Sequence, residues 1–233
     1  MRTLSIDIWS DVVCPWCYIG KRRIEGALAS FPHKDAVQVR WHAFELDPSA
    51  PKNSGTPVRE MLARKYRMGP TQVQAMQDRV EGVAAEVGVQ MHIERTAVEN
   101  TFDAHRLIAH AGEQGLGGVM KERLLAAYFT EGRRIGDHAV LAALAAEVGV
   151  TGAAEALGDP AAFSAAVRKD EAEARELGIT GVPFFVIDGR FGISGGQPEA
   201  VFRGALDRAW AEGAQEETAA GPACDADGCA LPK

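Results

Sequence analysis

Two cysteines separated by two residues, Cys14-Pro15-Trp16-Cys17, stand where an apolar strand gives way to a helix. The strand is read from Leu4-Ser5-Ile6-Asp7-Ile8-Trp9, and the helix from Pro15 towards Ser30. Thiols at this spacing can close on each other. The amide N–H groups and positive dipole end of the helix favour thiolate over thiol. A thiolate attacks disulfides, so the chemistry expected here is thiol–disulfide exchange. Proline suits the first helical turn because the N–H it lacks would have had no partner there.

Two other readings compete. Cys-x-x-Cys is also half of a tetrahedral zinc site, and Cys224 and Cys229 supply a second pair. Zinc hairpins, however, join two close knuckles, whereas here over two hundred residues lie between the pairs. Trp16 is also bulky for a knuckle, and no metal is assigned. Inert core cysteines are the third reading, and redox chemistry is favoured over both.

The elements that must position these thiols follow from the rest of the chain. Its 233 residues, 46% hydrophobic and 24% charged, are those of an ordinary globular protein with room for one large domain or a domain carrying a sizeable insertion. A net charge of −7 argues against nucleic acid or an anionic membrane as a standing partner. No apolar run approaches the length of a membrane span. The amino-terminal residues enter a strand without the apolar stretch of a secretory signal, so a cytoplasmic protein is expected. In a reducing compartment, four cysteines in two close pairs read as catalytic rather than structural.

Val37 to Leu46 alternates apolar and polar residues and is read as a second strand. Beyond a loop punctuated by Pro48, Pro51, Gly55 and Pro57 the texture changes. Segments 58–68, 71–87, 102–113, 119–130, 138–148 and 160–177 carry Ala, Leu, Glu and Arg at helical spacing. Strand character returns in Phe184-Phe185-Val186-Ile187, with Asp188-Gly189 as a hairpin turn and Arg190 to Ser194 as the returning strand. A last helix is expected from Pro198 to Glu212. The fold class is therefore mixed α/β. Residues 1–56 and 179–212 form one discontinuous domain, 57–178 an all-helical insertion between the second and third strands, and 213–233 a small, acidic, flexible tail.

Gly181-Val182-Pro183 opens the third strand, where a proline fits only the first position or a tight turn. At this point the chain resembles the thioredoxin superfamily, and the helical block resembles its DsbA-type branch. Ser10-Asp11-Val12-Val13-Cys14-Pro15-Trp16-Cys17-Tyr18-Ile19-Gly20 is similar to the FrnE-like oxidoreductases, as are Asn100-Thr101, Ala104-His105-Arg106 and Ile193-Ser194-Gly195-Gly196-Gln197. The resemblance covers about residues 3 to 212. It implies a thioredoxin fold with Cys14 as exposed nucleophile, Cys17 as recessed resolving thiol and Pro183 as a cis proline against them. Pro15, Trp16 and the backbone of Val182 would then meet a substrate, an extended peptide or protein bearing a disulfide. No cofactor is implied beyond the redox-active pair itself, with glutathione or a thioredoxin-type protein as the thiol reductant.

Two departures from the family pattern matter. The buried acid that many relatives carry six residues before the first cysteine is replaced by Ile8, with Asp7 or Asp11 as substitutes; Asp11 could equally cap the helix. An ionised carboxylate there would oppose the helix dipole at Cys14. Trp16 stands where strongly oxidising relatives carry histidine, and it offers one indole donor without charge, so a milder oxidant is expected. Asn100-Thr101 reads better as the cap of the following helix than as a site. His105 and His110 do not share one helical face, and His42 on a strand reads as structural. Cys224 and Cys229 are the candidate auxiliary redox pair. The rival from another class is a glutathione-dependent isomerase or transferase of the kappa or hydroxychromene-carboxylate isomerase type, which shares the fold but usually carries serine at the helix start.

Overall fold

The protein is described by a computed structural model covering residues 2–52 and 54–219, with side chains through residue 213. Four strands, β1 (Leu4–Ser10), β2 (Val37–Ala43), β3 (Phe184–Ile187) and β4 (Phe191–Ser194), form one sheet in the order β2-β1-β3-β4. β1 and β2 are parallel and are joined through α1 (Pro15–Ala29); β3 runs antiparallel to β1, and β4 antiparallel to β3. The hairpin between β3 and β4 turns at Asp188 and Gly189, both at positive φ (56° and 66°), as the Asp-Gly pair predicts.

The helices α2 (Val58–Tyr66), α3 (Pro70–Glu86), α4 (Phe102–Glu113), α5 (Gly117–Phe129), α6 (His138–Glu147), α7 (Ala153–Gly158) and α8 (Ser164–Glu176) all lie between β2 and β3. The helical stretch expected over 160–177 is shorter, because Pro160 sits in a turn and Phe163 adopts a left-handed φ of 58° just before α8. The closing helix α9 runs Glu199–Ala219. Its last seven residues fall in the segment expected to be a flexible tail. Ala, Gln and Glu there are good helix formers, and propensity extends the helix where hydrophobic patterning has ended. Cys224 and Cys229 lie outside the described residues.

Alternation along β1 divides the core. Leu4, Ile6 and Ile8 face one side and pack with Ile24 and Ala27 of α1, Phe185 of β3 and Phe202 and Leu206 of α9. Trp9 faces the other side, packs with Ala174 of α8 and Ile179, and donates its indole N–H to the Asp170 carbonyl at 3.0 Å. The inserted helices have their own apolar centre, built from residues such as Leu107, Met120, Leu124 and Leu144. Val12, Tyr18 and Ile19 belong to that centre. The helix carrying the cysteines is thus held on one side by the sheet and on the other by the insertion.

Candidate active site

Cys14 is the last extended residue before α1 (φ −95°, ψ 114°), and Pro15 opens the helix. Cys17 begins the next turn, its N–H donating to the Cys14 carbonyl at 3.0 Å. Both are free thiols and both are buried, Cys14 5% exposed and Cys17 1%, whereas Trp16 between them is 40% exposed. Cys14 is the outer thiol of the two, yet it is buried, where the resemblance implied an exposed nucleophile.

Val182–Pro183 is a cis peptide bond, and the Cys14 thiol donates to the Val182 carbonyl at 3.4 Å. Tertiary structure thus brings together the two sequence motifs expected to form one site. Glycine makes the approach close enough: a Cβ on Gly20 would stand 3.0 Å from Pro183 Cγ and 3.2 Å from Phe185 Cζ. One on Gly196 would stand 3.1 Å from the Trp16 carbonyl oxygen. The Pro183 carbonyl accepts from Gly195 N–H at 2.8 Å, and Arg23 of α1 donates to the Gly196 carbonyl at 2.5 Å. The Gly195-Gly196 loop therefore clamps α1 to the start of β3.

A buried charged cluster accompanies the inner thiol. Asp11 is fully buried, with its carboxylate 3.1 Å from Nε2 of His105 on α4 and accepting from Leu46 N–H at 2.8 Å. Burial acts to raise the Asp11 pKa, but the His105 and Leu46 hydrogen bonds and the Lys121 charge outweigh it, so its pKa is lowered. Asp11 does not cap α1, since Cys14 occupies the cap position without a side-chain hydrogen bond. Asp7, the other acid considered, faces away and meets Arg40 and His42 instead. Lys121 of α5 is 1% exposed and donates to the Ser10 carbonyl at 3.1 Å. Burial pushes its ammonium down to about 8, against the pull of Cys17, Asp11 and Cys14. The Cys17 thiol is pushed up by its burial and by Cys14, partly offset by Lys121 and the Asp11 backbone.

Lys121 was not singled out in the sequence, yet its signal was there. Residues 121, 124, 125 and 128 recur at helical spacing, and Leu124, Leu125 and Tyr128 are all buried, so Lys121 lies in the apolar stripe of α5. The next residue, Glu122, ties the active-site helix to α5, accepting from the Tyr18 hydroxyl at 2.8 Å and pairing with Lys21 at 2.6 Å and with Arg22. Asn100 caps α4 from one residue before the helix boundary, its Oδ1 accepting from Phe102 N–H at 3.1 Å. His42, Asp170 and Glu173 offer ligand atoms within 4.8 Å of one another. Both ring nitrogens of His42 are already engaged, by Asp170 at 2.8 Å and Asp7 at 2.9 Å, which explains the cluster as an ion-paired clamp between β2, β1 and α8. Among the described residues, no helix is long and apolar enough to cross a membrane.

The comparisons with known proteins fit this geometry. The chain is 33% identical over 207 residues to the uncharacterized protein YwbO of Bacillus subtilis, covering 88% of this chain and 96% of that one. The crystal structure of a probable DsbA oxidoreductase, SCO1869 from Streptomyces coelicolor, superposes with a TM-score of 0.87 at 41% identity, covering 99% of this chain and 100% of that one. The cytosolic disulfide reductase DsbM from Pseudomonas aeruginosa shares the fold, with a TM-score of 0.59 at 22% identity over 92% of this chain and 99% of its own. Residues 5–207 match the DSBA-like thioredoxin domain, a span holding the cysteine pair, the helical insertion and the proline-led strand alike; the chain is a member of that DsbA-like oxidoreductase family.

Proposed function

We propose that this protein is a thiol–disulfide oxidoreductase of the FrnE-like branch, acting on disulfide-bearing proteins or peptides. Cys14 attacks a substrate disulfide, releasing one substrate thiolate and leaving a Cys14–substrate mixed disulfide. Cys17 then attacks the Cys14 sulfur, closing the Cys14–Cys17 disulfide and releasing the second substrate thiol. If the substrate rearranges before Cys17 acts, the outcome is isomerisation. A thiol reductant, glutathione or a thioredoxin-type protein, restores the dithiol. The observation that carries this reading is the graded pair itself, with Cys14 outermost and its sulfur within 3.4 Å of the Val182 carbonyl beside Pro183. Exposed Trp16 and the Val182 backbone provide an apolar platform and a strand-like edge for an extended substrate.

The test is trapping. With a disulfide-linked peptide, Cys17→Ser should accumulate a peptide adduct on Cys14, seen by mass spectrometry, and Cys14→Ser should lose exchange activity. Full activity in Cys14→Ser, or an adduct elsewhere, would sink the reading. An anaerobic glutathione titration then gives direction: a potential of about −270 mV marks a reductase, and one of about −180 mV or higher an isomerase or oxidase. The auxiliary role of Cys224 and Cys229 is tested by replacing both with Ser, and unchanged turnover and recycling would remove it.

A further inference from the structure

Strand β2 is an edge of the sheet. Among the described residues it pairs only with β1, so its outer side presents backbone groups that no strand covers. Ala43 shows which residues point that way. Its N–H donates to the Asp170 carboxylate at 2.8 Å rather than to β1. Peptide groups along a strand alternate between its two edges, so those of Trp41 and Val39 turn outward as Ala43 does. Val39 is also an exposed apolar side chain, at 39%.

A cavity of about 480 Å³ runs along this edge from Val39 to Ala43. α8 bounds it on the His42 side through Asp170, α5 on the Trp41 side through Gly118, and α4 supplies a third wall that includes Gly112. Gly112 lies within α4, where glycine is less stable than alanine, yet a Cβ there would meet nothing within 4 Å. A Cβ on Gly118 would reach only ordinary contact, 3.5 Å from Trp41 Nε1. Neither glycine has the positive φ that demands one. Their missing side chains keep the cavity wide. One residue of an extended chain takes roughly 160 Å³, from a rise of about 3.4 Å, a strand spacing of about 4.8 Å and a layer about 10 Å deep. The cavity therefore holds about three residues of a single strand. Walls on three sides admit a lone chain and exclude the edge of a second copy, which is backed by its own sheet.

We propose that this cavity is a second polypeptide-binding site, in which an unfolded segment of a disulfide-bearing protein adds to β2 as an extended strand. The backbone groups of Val39 and Trp41 hold that segment irrespective of its sequence, because they recognise main chain alone. A folded domain has no lone strand to offer, so the site selects non-native chains. Ala43, at one end of the cavity, pairs with Ser10, the residue that closes β1 just before the turn to Cys14. A chain laid along β2 is thus held beside the thiol end of the sheet, and a disulfide elsewhere in it meets Cys14 at raised local concentration. The identity of the partner rests on the thiol–disulfide reading above; the binding site itself does not.

The probe is fluorescein-labelled ribonuclease A, reduced and carbamidomethylated, an unfolded chain with neither free thiol nor disulfide. It should bind the full chain, read by anisotropy, and slow amide hydrogen exchange at Val39 and Trp41, read by NMR. Gly112→Leu and Gly118→Leu, which fill the cavity from two walls, should each weaken binding about tenfold, as expected when backbone hydrogen bonds to the edge are lost. Absence of binding, binding that leaves those two amides unchanged, or binding that either folded variant retains in full would overturn the proposal. Near-ultraviolet dichroism shows whether a variant is folded; should both unfold, the two amides of the wild type decide alone. Slow hydrogen exchange at Val39 and Trp41 before the probe is added would mean that the edge is already covered, and would equally overturn it. The cover is a second copy if the slowing grows with protein concentration, and residues 220–233 if it is lost on their removal. Adduct formation on Cys14 with oxidised glutathione is followed separately, so that failure of the thiol–disulfide reading leaves the binding result standing on its own.

Discussion

The Asp11 carboxylate and Nε2 of His105 stand 3.1 Å apart although 94 residues separate them in the chain, and both side chains are almost completely withdrawn from solvent. One lies between β1 and the active-site helix, the other on α4 of the insertion. The contact fastens the two parts of the molecule beside the thiols. Removing one partner of a buried charged pair leaves the other unpaired, at a cost of about 3–5 kcal/mol. Asp11→Asn should therefore lower the melting temperature by roughly ten degrees, at about 2–4 °C per kcal/mol for a chain of this size. Because folding lowers the Asp11 pKa, this stability is present above its ordinary value of 3.8 and lost as pH falls through the lower folded value. The gap between variant and wild type, read by calorimetry, should be full at neutral pH and close in strong acid. A variant as stable as the wild type at neutral pH would refute it.

Gly20 sets the spacing between α1 and Pro183. Its absent side chain leaves a gap that a methyl group would overfill, at 3.0 Å from Pro183 Cγ and 3.2 Å from Phe185 Cζ. Gly20→Ala should cost about 1–3 kcal/mol by overpacking. It should also slow thiol–disulfide exchange more than the loss of stability accounts for, because the displaced segment carries the Val182 carbonyl that meets Cys14. Exchange rates measured well below the melting transition separate the two effects.

His42 should make stability pH-dependent in the opposite sense to Asp11. Burial opposes its charge, but the hydrogen bonds to Asp170 and Asp7 outweigh burial and raise its pKa above the ordinary 6.5. Its contribution is thus fully present below 6.5 and lost as pH rises through the raised folded value. His42→Gln should be destabilised most in mildly acidic solution and progressively less towards alkaline pH. Melting curves that stay parallel across that range would contradict the assignment.

Glu45 carries a fourth expectation. Burial and the neighbouring Glu171 push its carboxyl up to about 7, even with Arg168 alongside. Folding is therefore helped where Glu45 is protonated, fully below 4.5, and this help is lost as pH rises through about 7. Glu45→Gln, which cannot ionise, should match the wild type in acid and melt at a higher temperature above neutrality. A variant less stable than wild type at alkaline pH would mean that the Arg168 pairing dominates.

Much of this was legible in the chain itself. The strand–Cys14-Pro15-Trp16-Cys17–helix unit, the alternating β2, the Asp188-Gly189 hairpin and the proline-led β3 are local patterns, each set by backbone geometry within a few residues. Their order alone places the helical segments between the second and third strands. Tertiary structure decided how that insertion serves the site. Asp11 pairs with His105 rather than capping α1, and Lys121 turns inward to the Ser10 carbonyl instead of outward to water. Neither choice follows from periodicity. A lysine in an apolar stripe becomes tolerable only when a carbonyl such as that of Ser10 and counter-charges such as Asp11 are delivered from a distant segment. Sequence fixes which side chains a helix presents on each face; only packing decides what those faces meet.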